Sequence, residues 1–94
     1  MCYQFNIDQF ATVKYKSSEI EDLFLEYRLL VSKHSQRSES IYSIYVSATQ
    51  NDVIEYKLAF DVCRNITRGI EIFNLISRNS VTPCTLFDVL EDLL

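Results

Sequence analysis

Val53-Ile54-Glu55-Tyr56-Lys57-Leu58-Ala59-Phe60-Asp61-Val62 is the stretch on which the fold turns. Ile54, Tyr56, Leu58, Phe60 and Val62 share one parity, while Glu55, Lys57, Ala59 and Asp61 take the other. Period two with aromatic and β-branched residues predicts a half-buried strand over residues 53–62. Upstream, Tyr42, Ile44, Val46 and Ala48 alternate more weakly with Ser43 and Ser47. The intervening Thr49-Gln50-Asn51-Asp52 holds Asn and Asp, which tolerate the left-handed conformations of a tight turn. The two runs therefore predict a β-hairpin.

Further upstream two readings compete. Ile20, Leu23, Phe24, Tyr27, Leu30 and Val31 follow helical spacing, and Ser18 with Glu21 supplies a capping box. The same residues read as a strand, with Leu23, Leu25, Tyr27, Leu29 and Val31 on one parity. Periodicity leans towards helix, but a lone hairpin is marginal in water and needs a third strand or a covering helix. Residues 32–40 contain no apolar side chain and predict a solvated loop. Residues 1–18 alternate loosely through Phe5, Ile7, Phe10, Val13 and Tyr15, as an extra strand or an arm.

The C-terminal third reads as two helices. Ile66, Ile70, Phe73 and Ile76, with Ile72 adjoining, form an apolar stripe behind Asn65 as N-cap. Gly69 lies inside it at a cost of about 1 kcal/mol relative to Ala. After Asn79-Ser80, Thr82 caps a second helix with Pro83 at its first position, and Val81 can staple onto Leu86. Leu86, Val89, Leu90 and Leu93 carry its buried side.

All this fits one domain over residues 1–94. At 94 residues, 48% apolar and with one Gly and one Pro, the chain is neither disordered nor a linker. A net charge of −4 argues against nucleic acid or an anionic membrane as main partner. No apolar run approaches the roughly 20 residues that span a bilayer. The odd count of three cysteines and the lack of a signal-peptide pattern predict a reducing cytoplasmic setting.

The tail Arg78-Asn79-Ser80-Val81-Thr82-Pro83-Cys84-Thr85-Leu86-Phe87-Asp88-Val89-Leu90-Glu91-Asp92-Leu93 resembles that of a family of short uncharacterised proteins of Gram-positive bacteria, a domain of unknown function. Members share a Ser/Thr-Pro-x-x-Leu-x-Asp-Val-x-x-Asp ending behind a strand and helix. Tyr27-Arg28-Leu29-Leu30 is similar to the family's first strand, and the likeness runs from Tyr27 to the end. Asn65 departs from the Ser or Thr cap usual there. The resemblance implies the order β-β-β-α-α and brings no activity, cofactor or catalytic residue.

Little in the chain suggests chemistry. His34, the only histidine, sits among serines in the polar loop, where an exposed loop residue is the ordinary reading and a catalytic base or metal ligand the rarer one. Cys2, Cys63, Cys84 and His34 lack the short spacings of a zinc site. Cys84, near a helix N-terminus, is a candidate reactive thiol for a redox sensor or small enzyme, although no Cys-x-x-Cys accompanies it. Asp88, Glu91 and Asp92 make an acidic patch that serves solubility or docks a basic partner. Six tyrosines suit a sheet better than a base-stacking platform, which needs a positive groove.

The sequence thus predicts an α+β fold, a three-stranded antiparallel meander, or a four-stranded one if residues 1–18 add a strand, with two C-terminal helices on one face. Phe24 and Leu30 would then be left on the uncovered face, and such patches mark interfaces. The expected function is a non-enzymatic interaction module without cofactor or metal, whose partner is a second copy or another protein. A pocket for a small ligand between sheet and helices is the remaining alternative.

Overall fold

A computed structural model describes residues 10–33 and 40–93. His34, Cys2 and the segment before Phe10 lie outside the described residues, as does most of the expected loop. The elements are β1 (Ala11–Ile20), β2 (Leu23–Lys33), β3 (Ser40–Gln50), β4 (Val53–Cys63), α1 (Ile66–Arg78) and α2 (Leu86–Leu93). The strands form one antiparallel meander in the order β1-β2-β3-β4.

The sheet has four strands rather than three, because residues 11–20 pair along β2 from Ala11 opposite Val31 to Ile20 opposite Leu23. Residues 20–31 likewise resolve as strand. A helix would turn Tyr27 to the side opposite Leu25 and Leu29, whereas the strand sends all three to one face, where each is fully buried. Ser18 pairs with Leu25 inside β1 and Glu21 sits in the turn at φ 55°, so the capping box does not form.

The second hairpin closes more tightly than the sequence indicates. Gln50 pairs with Val53, leaving the two-residue turn Asn51-Asp52 with φ of 53° and 64°. This left-handed geometry matches the twist of antiparallel strands. Near its far end β4 is not a straight continuation of its alternation. Ile44 pairs with Ala59 but Tyr42 pairs with Cys63, so Phe60, Asp61 and Val62 lie opposite Ser43 alone. Asp61 takes the strain at φ 57°, and its backbone N–H donates to the Ser43 hydroxyl at 3.1 Å.

Both helices cover the same face of the sheet, over a core of Leu25, Tyr27, Leu29, Ile44, Val46, Ala59, Ile72, Phe73, Ile76, Val81, Leu86 and Leu90. Asn65 caps α1 as its sequence position suggests, accepting from the N–H groups of Thr67 at 2.8 Å and Arg68 at 3.2 Å. The buried stripe is centred on Gly69, Ile72, Phe73 and Ile76, and Ile66 is exposed. A Cβ at Gly69 would lie 3.4 Å from Cys63 Sγ and 3.5 Å from Leu29 Cδ1, so the helix approaches the sheet here closely without excluding a methyl group.

α1 ends at Arg78; beyond it Ser80 takes a left-handed φ of 53°, and the Val81 N–H returns to the Ile76 carbonyl at 3.2 Å. α2 then starts at Leu86, later than the Thr82-Pro83 signature predicts. Thr82 and Thr85 bracket a separate turn: the Thr85 N–H donates to the Thr82 carbonyl at 3.1 Å, and the Thr82 N–H to the Thr85 hydroxyl at 3.3 Å. Only one half of a capping box is present, the Thr85 hydroxyl accepting from the Thr82 N–H, because the Thr85 N–H goes to the Thr82 carbonyl rather than to its hydroxyl and closes a turn. Val81 and Leu86 share the core cluster, and the Tyr27 hydroxyl reaches the Val81 carbonyl at 2.9 Å. Burial pushes the Tyr27 phenol up to about 12.

Candidate functional site: the uncovered face of the sheet

A two-residue turn pairs even-numbered residues of β3 with odd-numbered residues of β4: Val46 faces Lys57 and Ala48 faces Glu55. Since Ile44, Val46 and Ala48 point to the helices, so do Glu55 and Lys57, and the apolar side of β4 is turned away from them. Ile54, Tyr56 and Phe60 are therefore 63%, 65% and 45% exposed. The alternation that predicts a strand does not mark its core side.

The uncovered face has two halves. Along β3 and β4 it is aromatic and aliphatic: the Tyr45 and Tyr56 rings stand 6.0 Å apart at 30°, beside Ile54 and Leu58. Phe24, 38% exposed, continues this surface through the row Phe24, Thr49, Ile54. Along β1 and β2 it is polar. The Tyr15 hydroxyl donates to Glu26 Oε2 at 2.6 Å, and Arg28 lies 5.1 Å above the Tyr15 ring and 4.0 Å from the same carboxylate. The hydrogen bond to Glu26 holds the Tyr15 phenol above its ordinary range.

Ser43 and Ser47 are buried on this face of β3, between β2 and β4. Leu30, half-buried, flanks the far end of the face, where Phe10 packs edge-on against Phe60 with ring centroids 6.2 Å apart. Phe24 and Leu30, singled out from sequence, thus do share the open face. Ile54, Tyr56, Phe60 and Phe10 were missed as surface residues. The signal for the first three was the turn itself, because a two-residue connection sets the apolar parities of β3 and β4 on opposite faces.

The remaining sequence candidates lie elsewhere. Asp88, Glu91 and Asp92 are exposed on α2, with the sheet between them and the open face. Their helix end is not without a cation, because Arg68 reaches across from α1 to donate to the Leu93 carbonyl at 2.7 Å. Cys84 is not the second residue of a helix: it lies in the turn before α2, exposed, with its thiol directed at Glu55 Oε2 at 3.6 Å. Lys57 Nζ stands 6.0 Å over the exposed Phe87 ring, so polar side chains of β4 form the border of α2. On the helix side, a shallow depression of about 130 Å³ lies between Leu23, Ala48, Gln50, Val53 and Glu55. Among the described residues, no helix is long and apolar enough to cross a membrane.

The arrangement defines a small α+β domain, a four-stranded antiparallel meander with two helices on one face and an apolar surface on the other. Residues 8–94 match the model of a family of unknown function, DUF6514, and the chain belongs to that family. The match starts well before Tyr27 and takes in β1, extending the likeness read from Tyr27 onward. Comparison with curated proteins and with solved structures gives no match.

Proposed function

We propose that the chain is a non-enzymatic interaction module that associates with a second copy of itself through the open face of its sheet. The observation that carries this reading is the position of Ile54, Tyr56, Phe60 and Phe24, large apolar side chains exposed together on the one face no helix covers. A contiguous apolar surface of several hundred Å² on a small domain is characteristic of an interface. Aromatic side chains with an adjacent polar and arginine-bearing border suit an interface core and rim. Tyr15, Glu26 and Arg28 supply such a border here.

Sedimentation of the purified chain at micromolar concentrations tests the reading, with native mass spectrometry to weigh the species. A dimer is expected, and Tyr56→Lys should convert it to monomer without loss of the folded signal. A monomer in which Tyr56→Lys changes nothing would sink the proposal.

A further inference from the structure

We propose that the second copy joins along the β4 edge: residues 53–59 of the two chains pair antiparallel about Tyr56, and the two sheets become one. The seam rests on the self-association reading above and specifies its geometry, joining the two open faces side by side. β4 is an edge strand, and among the described strands it pairs with β3 alone. A two-residue hairpin exchanges hydrogen bonds at the pair that closes its turn, here Gln50 with Val53. Alternation gives the same bonding to Ala48 with Glu55 and to Val46 with Lys57. The backbone N–H and C=O groups of Ile54, Tyr56 and Leu58 therefore point outward from the edge, as a template for another strand.

The ends of the strand and its charges select one register. The Asn51-Asp52 turn stops β4 on one side, and on the other the register shift opposite Ser43 and the left-handed Asp61 bend it away beyond Ala59. Tyr56 is the midpoint of the straight stretch between them. Pairing about it sets Tyr56 against its own copy and Ile54 against Leu58, with about six backbone hydrogen bonds across the seam. It also sets Glu55 against Lys57 of the second copy, twice, on the helix side of the joined sheet. Both side chains are exposed, and among the described residues neither has an ion-pair partner. A centre at residue 55 or 57 would instead oppose Glu to Glu or Lys to Lys. The β1 edge offers no such match. Lys14 and Lys16 share one parity there and Glu19 lies on the other, so no antiparallel register of that edge on itself opposes unlike charges.

Charge exchange with sedimentation as the readout tests the seam. Glu55→Lys and Lys57→Glu should each weaken self-association about tenfold, and the two together should restore it to within about twofold. The two single variants, mixed, should pair with each other more tightly than either pairs with itself. Folding should be unchanged in all of them, since both side chains are exposed. Hydrogen exchange gives a reading without mutation: the Ile54, Tyr56 and Leu58 amides should slow as chain concentration rises. Association that ignores the single exchanges, that the double exchange fails to restore, or that leaves those amides exchanging as in the monomer overturns the seam. Each of these results leaves the open-face reading standing. A chain that stays monomeric at micromolar concentrations overturns both.

Discussion

β2 and β4 are both 11-residue strands with alternating large apolar side chains, and they meet opposite fates. Leu25, Tyr27 and Leu29 of β2 are sealed under the helices, whereas Ile54, Tyr56 and Phe60 of β4 face outward. Local pattern makes both of them strands. Which side is covered is decided by register with the neighbouring strand and by where the helices land. β2 is an interior strand whose odd-numbered residues look at α1. β4 is an edge strand forced by the Asn51-Asp52 turn to present Glu55 and Lys57 to the helices.

The contrast can be broken most sharply by the same kind of truncation on each side. Leu29→Ala should cost about 3 kcal/mol, as for other fully buried leucines, while Ile54→Ala should cost well under 1 kcal/mol in the monomer. Urea unfolding of the two variants checks this, and equal losses would mean that both faces are buried in solution.

Tyr27→Phe should follow at about 1–2 kcal/mol, because it leaves the buried Val81 carbonyl without its donor. It also carries a pH signature. The Tyr27 phenol is raised to about 12 in the fold against about 10 in the unfolded chain. Its contribution is therefore fully present below pH 10 and lost as pH rises from 10 through 12. Stability of the parent chain should fall over that window, and the Phe variant should lose part of the slope.

Gly69→Ala probes the contact between helix and sheet at smaller scale. The added methyl would meet its neighbours at 3.4 Å and beyond, within ordinary contact, and Ala is the better helix former. Thermal melts should show a gain of about 0.5–1 kcal/mol, and a loss would mean that α1 sits closer to β2 than described. The smallest effect belongs to Tyr15→Phe on the polar half of the open face, where an exposed hydrogen bond disappears. A change below about 0.5 kcal/mol is expected from the same melts.

Much of this architecture was legible in the sequence, for reasons that differ by element. The β3–β4 hairpin and α1 announce themselves because turn residues, cap and periodicity coincide at Asn51-Asp52 and Asn65. β1 was legible only as a loose alternation because Thr12, Lys14, Lys16 and Ser17 offer no apolar side, and its conformation is fixed by pairing with β2 rather than by burial. Residues 20–31 satisfied two periods at once, and only tertiary burial of Leu25 and Leu29 separates them. The open face was half visible through Phe24 and Leu30. Its larger share on β4 followed from turn length, while the contact of Phe10 with Phe60 joins residues 50 positions apart and leaves no local trace.

The backbone assigns its residues against their habits. The single Gly of the chain lies inside a helix, while Glu21, Asn51, Asp52, Asp61 and Ser80 occupy left-handed conformations. Each such position without Gly is strained by up to about 1–2 kcal/mol, less for Asn and Asp. Corners made in this way do not hold themselves shut. A peptide cut to the first hairpin alone would spring open at Glu21, so the bends of this molecule are products of its assembled interior rather than seeds for it.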